Sequence, residues 1–194
     1  MVKKDILFDI SRQILSDIEL VLHYNSSGSF YLPEDVGGEL TYRFLNQDLI
    51  VEFDWKEDGI HGDNVVVGDY YNEENSIKIT LVTVKDINQD TGSNIAEVLV
   101  HELTHWIQEL DGYEFPKKEP EDFLGYYLQP HEIEAQYFGF LFQSEYLNKS
   151  LVEVVDLWFE KYGKFHQDTD IDFVKSKLIE KLQEKSHTDT TNTL

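Results

Sequence analysis

The apolar residues of this chain follow two different spacings, and the change between them constrains the fold more than any other feature. Between residues 40 and 84 they alternate with polar residues, as Leu40, Tyr42 and Phe44 do, which is the spacing of half-buried strands. Between residues 94 and 185 they recur every three or four residues, which is the helical spacing. The order predicts an α+β fold, with a sheet and a group of helices from different parts of the chain.

Four strands are expected in the first of these regions. Polar residues separate the members of each pair, as in the turn of a β-hairpin. We therefore predict a small, mostly antiparallel sheet. An amphipathic helix precedes it, because isoleucines recur at helical spacing near the N-terminus. The predicted elements are a helix over 4–23 and strands over 39–45, 49–55, 64–71 and 76–84.

The helical region begins with a capping signal. Asn94 is expected at the N-cap and Glu97 at the third helical position, a capping-box arrangement, in a helix that continues to about residue 110. A loop containing Pro116 and Pro120 follows. Pro130 is expected to begin the next helix, because proline is favoured at a first helical position. Further helices are predicted over 151–162 and 171–185.

Length and composition indicate a single globular domain. A chain of 194 residues with 41% apolar residues can bury a hydrophobic core. We expect one domain over 1–185 and a disordered tail over 186–194. Charged residues interrupt every apolar stretch near the N-terminus. We therefore expect no signal peptide, no membrane-spanning segment and a cytoplasmic location.

Charge and cysteine content restrict the partners and the metal ligands. The chain has 38 acidic and 16 basic residues, a formal charge of -22, which disfavours binding to nucleic acid and to anionic membranes. Basic protein surfaces and divalent cations are the favoured partners. Because the chain has no cysteine, disulfides and thiolate sites are excluded, and any metal must be held by His, Asp or Glu.

The sequence HELTH at 101–105 is an HExxH pattern within the predicted helix. His101 and His105 are four residues apart, so they lie one turn apart on the same face and can bind one zinc ion. Glu102 lies beside the metal, where it can take a proton from a zinc-bound water and pass it to a leaving amine. A surface helix with two unrelated histidines would show the same pattern, so a third protein ligand is the next requirement.

Asp111 is one candidate for the third ligand. Its spacing from His105 resembles the HExxHxxGxxH pattern of the metzincins, with Asp in the last place. Two residues depart from that pattern. Gln108 replaces the glycine, and Met1 is the only methionine, so no Met-turn can form. Asp111 is better interpreted as the residue that ends the helix.

The segment PHEIEAQ at 130–136 supplies a second candidate, and here the sequence resembles the gluzincin group of metallopeptidases. In that group the third ligand is a glutamate on a second helix, often in an E-x-x-A pattern followed by a polar residue. Glu132, Ala135 and Gln136 match the pattern, which implies that Glu132 binds zinc and that Gln136 holds a ligand in place. Glu134 is the rival ligand. It points roughly 200° around the helix from Glu132, so only one of the two can bind.

The combination of HELTHW, a proline-containing loop and PHEIEAQ resembles small metallopeptidases encoded by phages and bacteria, over residues 94–142. The resemblance implies a zincin-like fold, zinc as cofactor and hydrolysis of peptide bonds in a peptide or protein substrate. Zincins often use Tyr or His to stabilise the oxyanion, and Tyr126, Tyr127 and His131 are the nearest candidates. The zincin layout also implies an edge strand along the cleft. We expect 76–84 to be that strand and to pair with an extended substrate.

Two other functions are compatible with the sequence. A zincin fold could bind metal without useful catalysis and act through a protein partner, although a purely structural site has no need of Glu102. An acidic decoy could instead mimic nucleic acid and occupy basic proteins, although a decoy has no need of HELTH or PHEIEAQ. The zinc content of protein purified without chelator separates the decoy from the metal-binding alternatives.

Overall fold

A computed structural model describes residues 3–25, 38–56, 65–82, 89–116, 120, 122–163 and 170–191. The chain divides into two units, Met1–Gly112 and Tyr113–Leu194. In the described residues the first unit combines helices with a four-stranded sheet, and the second is helical. The predicted α+β class is confirmed, and the prediction of one domain over 1–185 stays a prediction.

The first helix, α1, spans Lys4–Asn25 and follows the amphipathic pattern predicted for 4–23. Its interior side chains recur at helical spacing, so burying one face stabilises the helix. They are Leu7, Phe8, Ile10, Ile14, Leu15 and Ile18. Ile6, which follows the same helical spacing and was expected to be buried with them, is 38% exposed.

Four strands form one mixed sheet in the order β1-β2-β4-β3. Their bounds are Gly38–Phe44 for β1, Gln47–Lys56 for β2, Val65–Tyr71 for β3 and Ser76–Val82 for β4. The β1/β2 and β3/β4 pairs are antiparallel, whereas β2 and β4 are parallel. The prediction of a small, mostly antiparallel sheet is therefore confirmed.

The strand β4 is an interior strand, so the expectation that residues 76–84 form the edge of a cleft is wrong. One side of β4 pairs with β2 and the other with β3, which leaves no backbone side for an added strand. Ile77, Ile79 and Leu81 are fully buried, as expected for an interior strand. Among the described strands the edges are β1 and β3. Residues 83–84 lie outside the described part.

The helix α2 spans Gln89–Leu110 and packs against α1, β3 and β4. It begins before Asn94, so the predicted capping box is wrong. Asn94 and Glu97 are buried inside the helix, and Thr91 and Ser93 before them are also buried. Tertiary packing therefore extends the helix N-terminally beyond Asn94, although asparagine by itself favours a helix start. The helix ends where predicted, with Gly112 at a φ of 84°.

The second unit contains four helices in its described part. They are α3 (Phe123–Tyr127), α4 (Pro130–Leu147), α5 (Leu151–Tyr162) and α6 (Ile171–Thr191). Helix α4 begins at Pro130 as predicted and packs against α5 and α6. Helix α5 has the predicted bounds, and a reciprocal capping box between Ser150 and Glu153 stabilises its start.

Two helical segments of this unit differ from the sequence-based expectation. Helix α3 lies where a loop was predicted, and the Asp122 side chain caps it by accepting a hydrogen bond from the Gly125 backbone at 2.7 Å. Helix α6 continues to Thr191, so residues 186–191 are helical where disorder was predicted. Residues 192–194 lie outside the described part. Of the helices that the structure describes, none has the length and apolar character needed to cross a membrane.

Candidate metal centre

The two histidines of HELTH converge on one side of α2. Their Nε2 atoms are 3.1 Å apart, and the rings meet edge to face at a centroid distance of 4.8 Å. Two nitrogens bound to one tetrahedral zinc at about 2.0–2.1 Å would be separated by about 3.3 Å. The His101 and His105 rings are therefore already close to the spacing that a shared zinc ion requires.

Gln108, one turn after His105, orients the second ring. Its Oε1 lies 2.9 Å from His105 Nδ1, and both side chains are buried. An amide oxygen only accepts hydrogen bonds, so Nδ1 carries the hydrogen and Nε2 of the neutral ring keeps its lone pair. The contact thereby selects Nε2 as the metal-binding atom of His105.

Buried side chains of α2 hold the HELTH turn in place. Leu103, Thr104 and Trp106 have no exposed surface, and the Thr104 hydroxyl donates to the Val100 carbonyl oxygen at 2.7 Å. The histidines are therefore carried by a turn whose neighbouring side chains are closely packed, which restricts their movement.

The edge strand β3 passes very close to Glu102. A Cβ atom added to Gly68 would lie 2.5 Å from Val98 Cγ1 and 2.7 Å from Glu102 Oε1. Any side chain at Gly68 would therefore collide with the glutamate. Two residues further along β3, the Tyr70 hydroxyl donates to Glu109 Oε2 at 2.6 Å. Burial and this carboxylate raise the pKa of Tyr70 well above its usual range.

Glu132 lies in the first turn of α4 and is 3% exposed. One imidazole nitrogen from each of His101 and His105 and one Glu132 carboxylate oxygen all lie within 4.8 Å of one another. Among the described residues, these three form the group of His, Asp or Glu side chains with the geometry of a metal site. His105 is buried like Glu132, and His101 is half-buried.

The rival ligands have other surroundings. Glu134 forms an ion pair with Lys185 of α6, with Oε1 2.8 Å from Nζ. Asp111 is exposed at the end of α2, where its backbone N–H still bonds the Ile107 carbonyl at 2.9 Å. Gln136 is buried, and its Oε1 has no hydrogen-bond partner in the described part of the protein. Its proposed contact with a ligand stays a prediction.

The candidate oxyanion donors are held within the second unit. His131 is buried, with Tyr113 Oη 3.0 Å from its Nδ1 and Glu132 Oε1 3.4 Å from its Nε2. The Tyr127 ring packs edge to face against Tyr126 and Trp158, with centroid distances of 5.1 and 5.6 Å. Their catalytic roles, and that of Tyr126, stay predictions.

Three residues near the site were not identified from the sequence as part of it: Gly68, Gln108 and Tyr113. A signal existed for two of them. An isolated glycine in a strand pattern indicates close approach of another element. A glutamine three residues after a histidine on a helix can reach the same face. Tyr113 has no local signal, because its partner His131 is distant in sequence.

No protein-family model, curated protein or solved structure matches this chain.

Proposed function

We propose that the protein is a zinc-dependent peptidase in which His101, His105 and Glu132 bind the metal. The observation that carries the proposal is the proximity of these three donor groups, with Glu102 next to His101 on the same helix. Two imidazoles and one carboxylate form a common ligand set of catalytic zinc, which keeps a fourth position open for water or substrate.

The chemistry of the donor set fits zinc. Imidazole and carboxylate ligands in a tetrahedral arrangement suit zinc, and the chain contains no cysteine that could supply a softer site. The 3.1 Å separation of the two Nε2 atoms fits two ligands of one small ion. Gln108 supplies the outer hydrogen bond that zinc-binding histidines usually make.

The roles of the remaining residues follow from their positions. When bound, zinc acts as a Lewis acid that polarises a substrate carbonyl and lowers the pKa of water. Glu102 would accept a proton from the attacking water and return it to the nitrogen of the departing amine. Glu102 is buried, so its carboxylate acts in a site with little solvent, where its electrostatic interactions are strong.

The edge strand β3 is our candidate for the strand that orients an extended substrate. It pairs with β4 along one side only in the described sheet, and it passes directly beside Glu102 at Gly68. An extended peptide could add to its other side through backbone hydrogen bonds. Val67, next to Gly68, is 42% exposed and available to a substrate side chain.

The proposal is tested by Glu102→Gln. The change is nearly isosteric, so the protein should fold and keep one zinc per chain, measured by elemental analysis after purification without chelator. Hydrolysis of a broad peptide library should fall by at least about 10²–10⁴-fold, because Gln cannot accept the proton. Glu97→Gln, which alters another buried glutamate of α2, is the control and should keep activity.

Each outcome separates the alternatives. Zinc in wild type that is lost in His101→Ala supports the metal site. A wild-type protein without zinc would favour the acidic decoy. Equal cleavage by wild type and Glu102→Gln, both loaded with zinc, would contradict the peptidase mechanism. Zinc binding without any cleavage would favour a catalytically silent zincin that acts through a protein partner. Zinc-loaded Glu102→Gln protein should then capture that partner.

A further inference from the structure

His131 is a buried histidine whose two ring nitrogens face different partners. Nδ1 lies 3.0 Å from Tyr113 Oη, and Nε2 lies 3.4 Å from Glu132 Oε1. The side chains of His131 and Glu132 are 2% and 4% exposed. Solvent therefore competes little for either nitrogen, and the protein itself determines which of them carries the hydrogen.

The two contacts favour one tautomer. If the Tyr113 hydroxyl donates to Nδ1, a neutral ring must carry its hydrogen on Nε2, which then points at the carboxylate. The other tautomer would place the Nε2 lone pair against the negative Glu132 oxygen, which is repulsive in a site with little water. The electrostatic preference and the hydrogen bond therefore agree.

Aromatic packing holds the His131 ring in this orientation. The Phe115 ring packs edge to face on it at a centroid distance of 5.4 Å, and the Tyr113 ring lies at 5.3 Å. Tyr113 and Phe115 also contact each other at 5.1 Å. Packing against the Tyr113 and Phe115 rings thus restricts rotation of the His131 imidazole. The Tyr113 hydroxyl adds the polar contact that distinguishes the two imidazole nitrogens.

We propose that Tyr113 and His131 are positioning residues for the Glu132 carboxylate. Tyr113 selects the His131 tautomer, and the Nε2 hydrogen of His131 holds Glu132 Oε1, which orients the carboxylate for metal binding. The proposal rests on the proposed function for its metal-binding part. It gives His131 a role different from oxyanion stabilisation, because its Nε2 is directed at the ligand.

The first experiment uses metal-free protein, so it does not depend on zinc. Long-range ¹H–¹⁵N NMR at neutral pH reports which nitrogen of His131 is protonated. We expect the Nε2–H form in wild type and a smaller Nε2–H fraction in Tyr113→Phe, where only the Glu132 contact still favours that tautomer. Tyr137→Phe removes a hydroxyl from a buried tyrosine of α4 and should leave the His131 signals unchanged. A predominant Nδ1–H form in wild type, or no change in Tyr113→Phe, would overturn the proposal.

The second experiment measures zinc affinity by competition with a chelating dye. His131→Leu should weaken binding about 10–100-fold, the usual effect of losing an outer partner of a metal ligand. His131→Gln keeps an N–H donor near the position of Nε2 and should recover much of the affinity, which a purely structural role of the ring would not predict. Equal affinity of wild type and His131→Leu would overturn this inference alone. Absence of zinc binding in wild type would overturn the proposed function as well.

Discussion

At the scale of single residues, neighbouring side chains determine which nitrogen of a histidine in the candidate site carries the hydrogen. Gln108 assigns the hydrogen of His105 to Nδ1, and Tyr113 is proposed to assign the hydrogen of His131 to Nε2. In both cases a side chain outside the proposed set of metal ligands determines which ring nitrogen carries the hydrogen. Loss of such a contact typically weakens metal affinity about 10–100-fold.

Gln108→Leu should weaken zinc binding by about 10–100-fold. The buried His105 Nδ1–H would lose its hydrogen-bond acceptor, and the ring would lose its preference for one tautomer. Gln108→Glu keeps an acceptor and should bind zinc at least as tightly as wild type. Gln143→Leu, which removes a buried glutamine three turns after Glu132 on α4, is the control. Competition titrations of the three variants decide the matter. Unchanged affinity in Gln108→Leu would contradict the assigned role.

Glu132→Ala should reduce zinc affinity far more than Glu134→Ala. Glu132 has a donor oxygen near the two histidines, whereas Glu134 pairs with Lys185. The two side chains are only 21% and 20% exposed, so loss of the Glu134 carboxylate should cost about 1–3 kcal/mol of stability. Parallel zinc titrations and urea denaturation curves measure both effects. The reverse order of zinc affinities would identify Glu134 as the ligand.

At the scale of elements, the contact between β3 and α2 links the sheet to the HELTH turn. Gly68 allows the backbone of β3 to approach Glu102, and the Tyr70–Glu109 hydrogen bond attaches the same strand about two turns further along α2. In the proposed peptidase, the strand would therefore hold an extended substrate at a constant distance from Glu102.

Gly68→Ala should destabilise the protein by about 1–3 kcal/mol and reduce peptidase activity, because the new methyl group overlaps Val98 and Glu102. Gly38→Ala in β1 is the matched control, since a Cβ there has nothing within 4 Å. That control should be neutral or slightly stabilising. Urea denaturation compares the two variants. Equal stability of both would contradict the close approach of β3 to α2.

At the scale of the whole molecule, the dominant property is the formal charge of -22. Like charges repel throughout a folded chain, and this repulsion opposes the compact state. The same charge attracts basic segments of proteins, so it can raise the rate at which basic substrates reach the site. Both effects weaken as salt shortens the distance over which charges interact.

The stability of the metal-free protein should therefore increase when sodium chloride is raised from about 10 mM to about 150 mM, as the Debye length falls from about 30 Å to about 8 Å. The urea midpoint is the measurement. Potassium chloride should give the same increase, because screening depends on ionic strength and not on the cation. A midpoint that falls with salt would show that favourable ion pairs outweigh the net repulsion.

The sequence by itself determined the features that depend on local spacing. Periodicity predicted α1, the two hairpins and α5, and the four-residue interval placed His101 and His105 on one face of α2. These inferences succeed because helices and hairpins are formed by residues close together in the chain, so their patterns are visible in a short window.

Only the tertiary structure decided which elements are neighbours. The parallel pairing of β2 with β4 encloses β4 and makes β3 an edge, and no spacing in either strand contains that information. Burial likewise extends α2 past Asn94, because packing outweighs a local preference for a helix start. The contacts of Gly68 with Glu102 and of Tyr113 with His131 join residues far apart in sequence. Both contacts arise from the packing of distant segments, so local sequence patterns carry no information about them.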